Sequence, residues 1–349
     1  MKFFDLFAGI GGFRMGLESL GHHCVGFCEI DKFARTSYKA IYDTEGEIEY
    51  HDIRSVTDES IRRIRRVDIT CGGFPCQAFS VAGKRRGFED TRGTLFFEIA
   101  RFASILKPKY LFLENVKGLL NHNNGDTFET ILTVLWELGY DVEWQVLNSK
   151  DFGVPQNRER VFIIGHLRGE RTRNIFPIRR NAEKVSTKVI GTMLGKFEMT
   201  NRVYSPEGLA PTIQTMQGGG QEPKIIQKGR GFNKGGVHTI SPTLSSNSWH
   251  ENNLLQVYDF YNKSYRDEVG TLTTTGHRGF TTMGTFGITE GYRIRKLTPK
   301  ECWRLQGFPD WAFEKAKEVN SNSQLYKQAG NSVTVPVIRA IAKNFKEGV

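Results

Sequence analysis

The sequence predicts an α/β protein built on a doubly wound, mostly parallel sheet, followed by a smaller, irregular, β-rich domain. Three observations carry that prediction. Up to residue 167, short apolar runs alternate with amphipathic stretches, the order expected of parallel strands joined by crossover helices. A glycine-rich turn, DLFAGIGGF, ends the first apolar run and opens the first helical stretch. After residue 167 the alternation stops and Gly, Thr, Ser and Asn dominate, with only short β-like pieces.

In chain order, KFFDLF, HHCVGF, VDITCGG, KYLFLENV, DVEWQVLN and RVFIIGHL read as strands, and a further short strand ends before Asp52. Helices are expected at 12–20, 32–41, 58–65, 93–106 and 126–138. Ser55 to Asp58 has the form of a capping box for the third helix, and Lys107-Pro108 closes the fourth, because the residue before proline is steered out of helical geometry. Beyond residue 300, ECWRLQGFP and VTVPVIRAIAKNF return to helical patterning. The expected division is a first domain at 1–167, completed by 325–349, and a second at 168–324 that includes the return segment. In doubly wound sheets ligands bind beyond the carboxyl ends of the strands, so the residues just after each strand are the candidates for chemistry.

The chain has 349 residues and a net charge of +10. Residues 168–300 hold 20 Lys+Arg against 10 Asp+Glu, and the remainder holds 28 of each. An excess confined to one contiguous third favours a polyanionic partner, of which duplex DNA is the commonest. Five cysteines, without a Cys-x-x-Cys pair, indicate neither a disulfide framework nor a zinc ribbon. His22, His23, Cys24 and Cys28 cluster, but at no standard ligand spacing, so no metal is expected. No run approaches the roughly 20 apolar residues of a membrane helix, and Asp5 with three glycines interrupts the N-terminus before it could form a signal sequence. The expectation is a cytoplasmic protein with no membrane association.

Gly9 and Gly11 allow a tight turn and close approach of a ligand to backbone. The third glycine of a dinucleotide fingerprint would stand at position 14, which is Arg14, so a nicotinamide cofactor is disfavoured. Glu29 ends the second strand, where a carboxylate accepts both hydroxyls of a ribose, and Asp52 follows the third, in reach of an adenine amino group. Together they suggest an adenosine ligand without a pyrophosphate, a description that S-adenosylmethionine fits. Each acid taken singly is more often a helix cap or a solvated turn.

GGFPCQAFS follows the fourth strand and places Cys76 on a stiff loop, since Pro75 fixes its own φ and holds Phe74 extended. Cys71, inside the apolar VDITC run, is the better candidate for an inert buried thiol. The next strand delivers Glu114 and Asn115. A carboxyl beside a thiolate makes sense if desolvation keeps Glu114 protonated or lets it share a proton with a bound base. Arg158 and Arg160 in VPQNRERVF, two residues apart, face one side of an extended backbone and suit a base carbonyl, a phosphate or a thiolate.

At this point the chain resembles the DNA (cytosine-5) methyltransferases of bacteria and phages. DLFAGIGG, Glu29, Asp52, GFPCQAFS, RGTLFFEI, LFLENV, QNRER, RKLTPKECWRLQGFP and AGNSV follow the order of that family's motifs. The resemblance implies a Rossmann-like methyltransferase fold, S-adenosylmethionine as cofactor, and transfer of its methyl group to carbon 5 of a cytosine flipped out of double-stranded DNA. It assigns catalysis to Cys76 as nucleophile, Glu114 at ring nitrogen 3, Arg160 at the base carbonyl and Arg158 in support. Cofactor contacts carried over by motif are Phe7, Gly9, Gly11, Glu29, Asp52, Pro75, Leu95, Asn331 and Val333. The stretch after Cys76 corresponds to a loop that closes over DNA, with Gln77 and Ser80 near the base and Lys84, Arg85 and Arg86 reaching phosphates.

Residues 168–300 correspond to the family's target-recognition domain. APTIQTMQGGG, SPTLSSNSWHENN and GTLTTTGHRGF share a Pro/Gly-Thr-Ile/Leu core centred on Thr212, Thr243 and Thr271, either a stacking repeat or three turns of similar chemistry. Any of the three threonines is a candidate DNA contact. The resemblance further implies a monomer working within a restriction-modification system beside a cognate endonuclease, or in phage self-protection. The alternatives are an RNA cytosine methyltransferase and a catalytically silent DNA-binding protein.

Overall fold

Alternation of apolar runs and helical stretches produces a seven-stranded sheet in the computed structural model, which describes residues 1–64, 66–75, 95–179, 189–192, 202–204, 209–213, 224–228, 257–259, 264–265, 286–288 and 292–345. Its strands are β1 (Lys2–Leu6), β2 (His23–Cys28), β3 (Ile48–Tyr50), β4 (Ile69–Gly73), β5 (Tyr110–Val116), β6 (Tyr140–Asn148) and β7 (Glu159–Leu167). The order across the sheet is β3-β2-β1-β4-β5-β7-β6. The first five strands pair in parallel, while β7 runs antiparallel to both β5 and β6. Strand order reverses between β1 and β4, so their carboxyl ends form the switch point at which such sheets bind ligands.

The helices between these strands are α1 (Gly12–Glu18), α2 (Lys32–Ile41), α3 (Asp58–Arg62), α4 (Leu95–Leu106) and α5 (Asp126–Glu137). Neighbouring strand residues point to opposite faces, and both faces are apolar. Phe3, Tyr110 and Phe112 join Phe13, Leu17 and Ile338 on one side; Phe4, Leu111 and Leu113 join Phe96, Phe102 and Ile131 on the other. Helix α3 is capped by Thr57, whose hydroxyl accepts from the Ser60 amide, rather than by Ser55. Ser55 instead ends a 3-10 turn capped by Asp52. Helix α4 stops before Pro108, as expected, with Lys107 at φ 45°.

The chain divides into two compact units. The first comprises Met1–Val154, Arg158–Glu183 and Trp303–Val349. The return to it therefore begins at Trp303, inside α6 (Pro299–Leu305), and not at residue 325. The reason is packing: Trp303 is fully buried and its indole N–H donates to the Leu325 carbonyl. Helices α7 (Asp310–Val319), α8 (Asn322–Asn331) and α9 (Val335–Ala342) complete this unit. The link between α8 and α9 comes so close to α1 that a Cβ on Gly12 would lie 2.6 Å from Val333 Cγ2 and 3.1 Å from the Val333 carbonyl oxygen.

The second unit comprises Pro155–Asn157 and Lys184–Cys302. Its described strands are β8 (Val189–Thr192), β9 (Arg202–Tyr204), β10 (Lys224–Lys228) and β14 (Tyr292–Lys296) in one sheet, with β11 (Val257–Asp259), β12 (Ser264–Tyr265) and β13 (Phe286–Ile288) in another. The Pro155–Asn157 segment binds the first threonine-centred segment: the Ala210 amide donates to the Pro155 carbonyl and the Asn157 amide to the Ala210 carbonyl.

Candidate active site

At the carboxyl end of β1 the chain turns sharply through Phe7 (φ 54°), Gly9 (φ 56°) and Gly11 (φ 79°). Gly11 is required twice over. Its φ is left-handed, and a Cβ there would strike the Tyr42 ring, whose hydroxyl donates to the Gly11 carbonyl over 2.7 Å. Arg14, where a dinucleotide site needs glycine, is buried beneath this turn. Its guanidinium forms a two-pronged pair with Glu47, both contacts 2.8 Å, and lies over the Tyr42 ring. The replacement that argued against a nicotinamide cofactor thus braces the glycine turn.

Glu29 sits at the end of β2 and accepts the Gly9 amide on one oxygen (2.8 Å) and the Asp31 amide on the other (2.7 Å). Burial pushes its carboxyl above the usual range, and those amide bonds oppose the shift. Each oxygen keeps a further lone pair, which is the acceptor set that two neighbouring ribose hydroxyls call for. Asp52 is arranged differently. It caps the 3-10 turn and engages Arg54 in a fork, which lowers its pKa. Its carboxylate is thus both the cap and the solvated turn that a lone acid suggests.

At the carboxyl ends of β4 and β5 a second cluster forms. Glu114 is buried and pairs with Arg160, Oε1 to Nε 3.1 Å. Burial raises its pKa, against the pull of Arg160 and Arg158. A Cβ on Gly73 would lie 3.0 Å from Glu114 Oε2, so the glycine before Phe74 leaves room for that carboxyl. Asn115 donates from Nδ2 to the Phe74 carbonyl over 2.8 Å, holding the Phe74-Pro75 turn that leads to Cys76.

Arg158 is also buried, and its side chain goes to the C-terminal segment. Its terminal nitrogen donates to the carbonyls of Gly330 (3.1 Å) and Ser332 (2.9 Å), on either side of Asn331. Burial and the neighbouring Arg160 depress its pKa to about 9, so it stays charged at neutral pH. Asn331 itself is exposed, Val333 is buried, and Leu95 opens α4 half-buried. Cys71 is the inert thiol expected: it is fully buried, and burial pushes its pKa well up. Cys24 and Cys28 each bond a backbone carbonyl. In the second unit, the Thr212 hydroxyl donates to the Asn157 carbonyl. Cys76, Gln77, Ser80, Lys84, Arg85, Arg86, Thr243 and Thr271 lie outside the described residues.

Residues 1–347 match the sequence profile of the family described as C-5 cytosine-specific DNA methylase. The chain belongs to that family. Its relatives include the type II methyltransferase M.HpaII of Haemophilus parainfluenzae, 39% identical over 99% of this chain and 89% of the relative. M.HhaI of Haemophilus parahaemolyticus is 37% identical over 99% and 94%. The orphan methyltransferase M.SPRI of Bacillus phage SPR is 33% identical over 98% and 97%. Among solved structures, the S. pombe Dnmt2 methyltransferase superposes with a TM-score of 0.61 at 17% identity, covering 97% of this chain and 96% of that one, a likeness of fold. The protein is therefore an enzyme, a DNA cytosine methyltransferase, and not a silent DNA-binding protein. No helix among the described residues is long and apolar enough to cross a membrane.

For a cytosine-specific DNA methylase, the sequence left two kinds of residue without a role. Asn115 holds the Phe74 carbonyl, a task the sequence does not name, although a polar side chain at the end of an apolar strand is its signal. Gln306, inside the LQGFP motif, is fully buried and hydrogen-bonded at both ends of its amide; nothing in the sequence names its partners.

Proposed function

We propose that this enzyme transfers the methyl group of S-adenosylmethionine to carbon 5 of a specific cytosine in double-stranded DNA, with the base flipped out and held covalently by Cys76. The buried Glu114–Arg160 pair beside the Asn115-held Phe74-Pro75 turn carries the reading: it unites a carboxyl biased toward its protonated form, a fixed cation and the entry to the nucleophile loop.

The residues fit the cofactor. Phe7, Gly9, Gly11 and Glu29 at the β1–β2 edge, with Pro75, Leu95, Asn331 and Val333, would hold it, and Asp52 would join them on release from Arg54. When bound, S-adenosylmethionine supplies an electrophilic methyl group. The protein's part is to make the cytosine nucleophilic. The Cys76 thiolate adds to carbon 6 while Glu114 delivers a proton to nitrogen 3, so that electron density moves to carbon 5. Arg160 fixes the base carbonyl and keeps Glu114 oriented. Once carbon 5 is methylated, loss of its proton to a base expels Cys76, and nitrogen 3 returns its proton to Glu114. The basic second unit binds the duplex, with Thr212, Thr243 and Thr271 as candidate contacts, and Lys84, Arg85 and Arg86 meet phosphates. The chain acts as a monomer, within a restriction-modification system or in phage self-protection.

A duplex carrying 5-fluorocytosine at the target tests this directly, because fluorine at carbon 5 cannot leave as a proton. The expected product is a covalent protein–DNA complex that requires S-adenosylmethionine and is lost in Cys76→Ala. Absence of the complex at a site whose ordinary cytosine is methylated would overturn the covalent route.

A further inference from the structure

Behind Arg158 lies a set of buried polar groups that the reaction does not use. The Gln306 amide donates from Nε2 to the Ala329 carbonyl over 2.8 Å, and its Oε1 accepts from Thr334 Oγ1 over 2.9 Å. Ser149 Oγ is 2.8 Å from Thr334 Oγ1, and the Ser149 amide donates to the Arg158 carbonyl over 3.0 Å. Arg158 in turn reaches the Gly330 and Ser332 carbonyls. Ser149, Arg158, Gln306 and Thr334 are each less than 4% exposed.

Proton counting fixes the direction of the chain. The Ala329 carbonyl can only accept, so the amide nitrogen of Gln306 must face it and Oε1 must face Thr334. Thr334 has one hydroxyl proton, which that oxygen takes. Ser149 then donates its own proton to Thr334, and its longer contact to the Arg158 carbonyl, 3.3 Å, is the weaker option. The order Thr334 to Gln306 to Ala329 is fixed, Ser149 donates to Thr334 over its shorter contact, and through Arg158 the set closes into a ring around the segment 329–334. That segment carries Asn331 and Val333. Two residues beyond Arg158 stands Arg160, paired with Glu114.

We infer that Gln306, Thr334 and Ser149 are positioning residues that lock the cofactor segment 329–334 and the arginine strand of the base site into one piece, so that each is correctly placed only when the other is. This rests on the proposed reading of Asn331 and Val333 as cofactor contacts. Thr334→Val keeps the shape of the side chain but removes the hydroxyl donor to Gln306 Oε1 and leaves Ser149 Oγ only its longer contact to the Arg158 carbonyl, and a buried polar group so stranded costs about tenfold or more in equilibrium terms.

The test is steady-state methyl transfer by the full chain over a range of S-adenosylmethionine concentrations, with thermal melting as the check on folding. In Thr334→Val, KM for the cofactor rises about tenfold and kcat falls as well, while Thr334→Ser, which restores the hydroxyl, recovers both. Should Thr334→Val fail to fold, Ser149→Ala, which removes the first donor of the chain, is expected to shift both parameters in the same direction. The inference is overturned if the folded variants keep wild-type KM and kcat. It is equally overturned if KM is unchanged and kcat falls only in proportion to the folded fraction, with no recovery in Thr334→Ser. A wild-type protein that binds no S-adenosylmethionine would instead bring down the reading of the cofactor site, and equilibrium binding of labelled cofactor to the wild type separates the two failures.

Discussion

The two edges of the catalytic sheet hold their functional groups by different means. At the β1–β2 edge, a left-handed glycine turn, a carboxylate on two backbone amides and a tyrosine on a backbone carbonyl form the site, all within the first 50 residues. At the β5–β7 edge the site consists of buried charge: Glu114 against Arg160, and Arg158 against carbonyls 172 and 174 residues away. The first edge leaves free lone pairs on both Glu29 oxygens, which suit the ribose hydroxyls of the proposed cofactor. The second edge maintains a carboxyl and two cations out of water, which is costly for a fold and worthwhile where proton position decides the chemistry.

If that contrast is right, substitutions at the two edges affect different kinetic constants. The largest effect is expected for Glu114→Gln, which keeps an acceptor for Arg160 but cannot move a proton: methyl transfer falls about 10²- to 10⁴-fold with cofactor affinity unchanged, as read by single-turnover transfer and equilibrium binding. The pH profile follows the same group. Burial raises the Glu114 pKa, the proposed mechanism uses its protonated form, and the expected wild-type rate therefore declines as pH climbs through that raised value, a limb that Glu114→Gln lacks. At the other edge, Glu29→Ala raises KM for S-adenosylmethionine about tenfold to a hundredfold, the equivalent of a lost charge-assisted hydrogen bond, with kcat nearly kept. A collapse of kcat in Glu29→Ala at saturating cofactor would erase the distinction between the edges.

Gly11→Ala forces a side chain into left-handed backbone and against Tyr42, and a loss of about 1–2 kcal/mol in unfolding free energy is expected from denaturant titration. The smallest effect belongs to Thr57→Ala, at the N-cap of α3. Loss of its bond to the Ser60 amide lowers stability by about 1 kcal/mol and leaves both kinetic constants alone. A kinetic change in Thr57→Ala would mean that these assays report general stability and not the edges.

The same contrast explains what could be read from the sequence. Periodicity is local, so the parallel strands and the helices between them were legible, and so was the glycine turn, whose parts are neighbours in the chain. The antiparallel setting of β7 was not drawn from the sequence, although only ten residues separate DVEWQVLN from the start of β7, too few for a parallel crossover. The return point at Trp303, the Asn115 bond to Phe74 and the carbonyl partners of Arg158 depend on groups far apart in sequence, and residue types alone do not pair them. Asp52 shows the reverse limit. Its position after a strand marked it as a ligand contact, while the adjacent Arg54 gives it a local partner.

Bisulfite sequencing of duplex DNA incubated with the purified protein and S-adenosylmethionine tests methyl transfer to cytosine carbon 5 most directly. Cytosines within one short recurring sequence should resist conversion, and DNA treated with Cys76→Ala should convert throughout. Full conversion with the wild-type protein under conditions where it binds the cofactor, or equal protection by Cys76→Ala, would contradict the mechanism proposed for this enzyme.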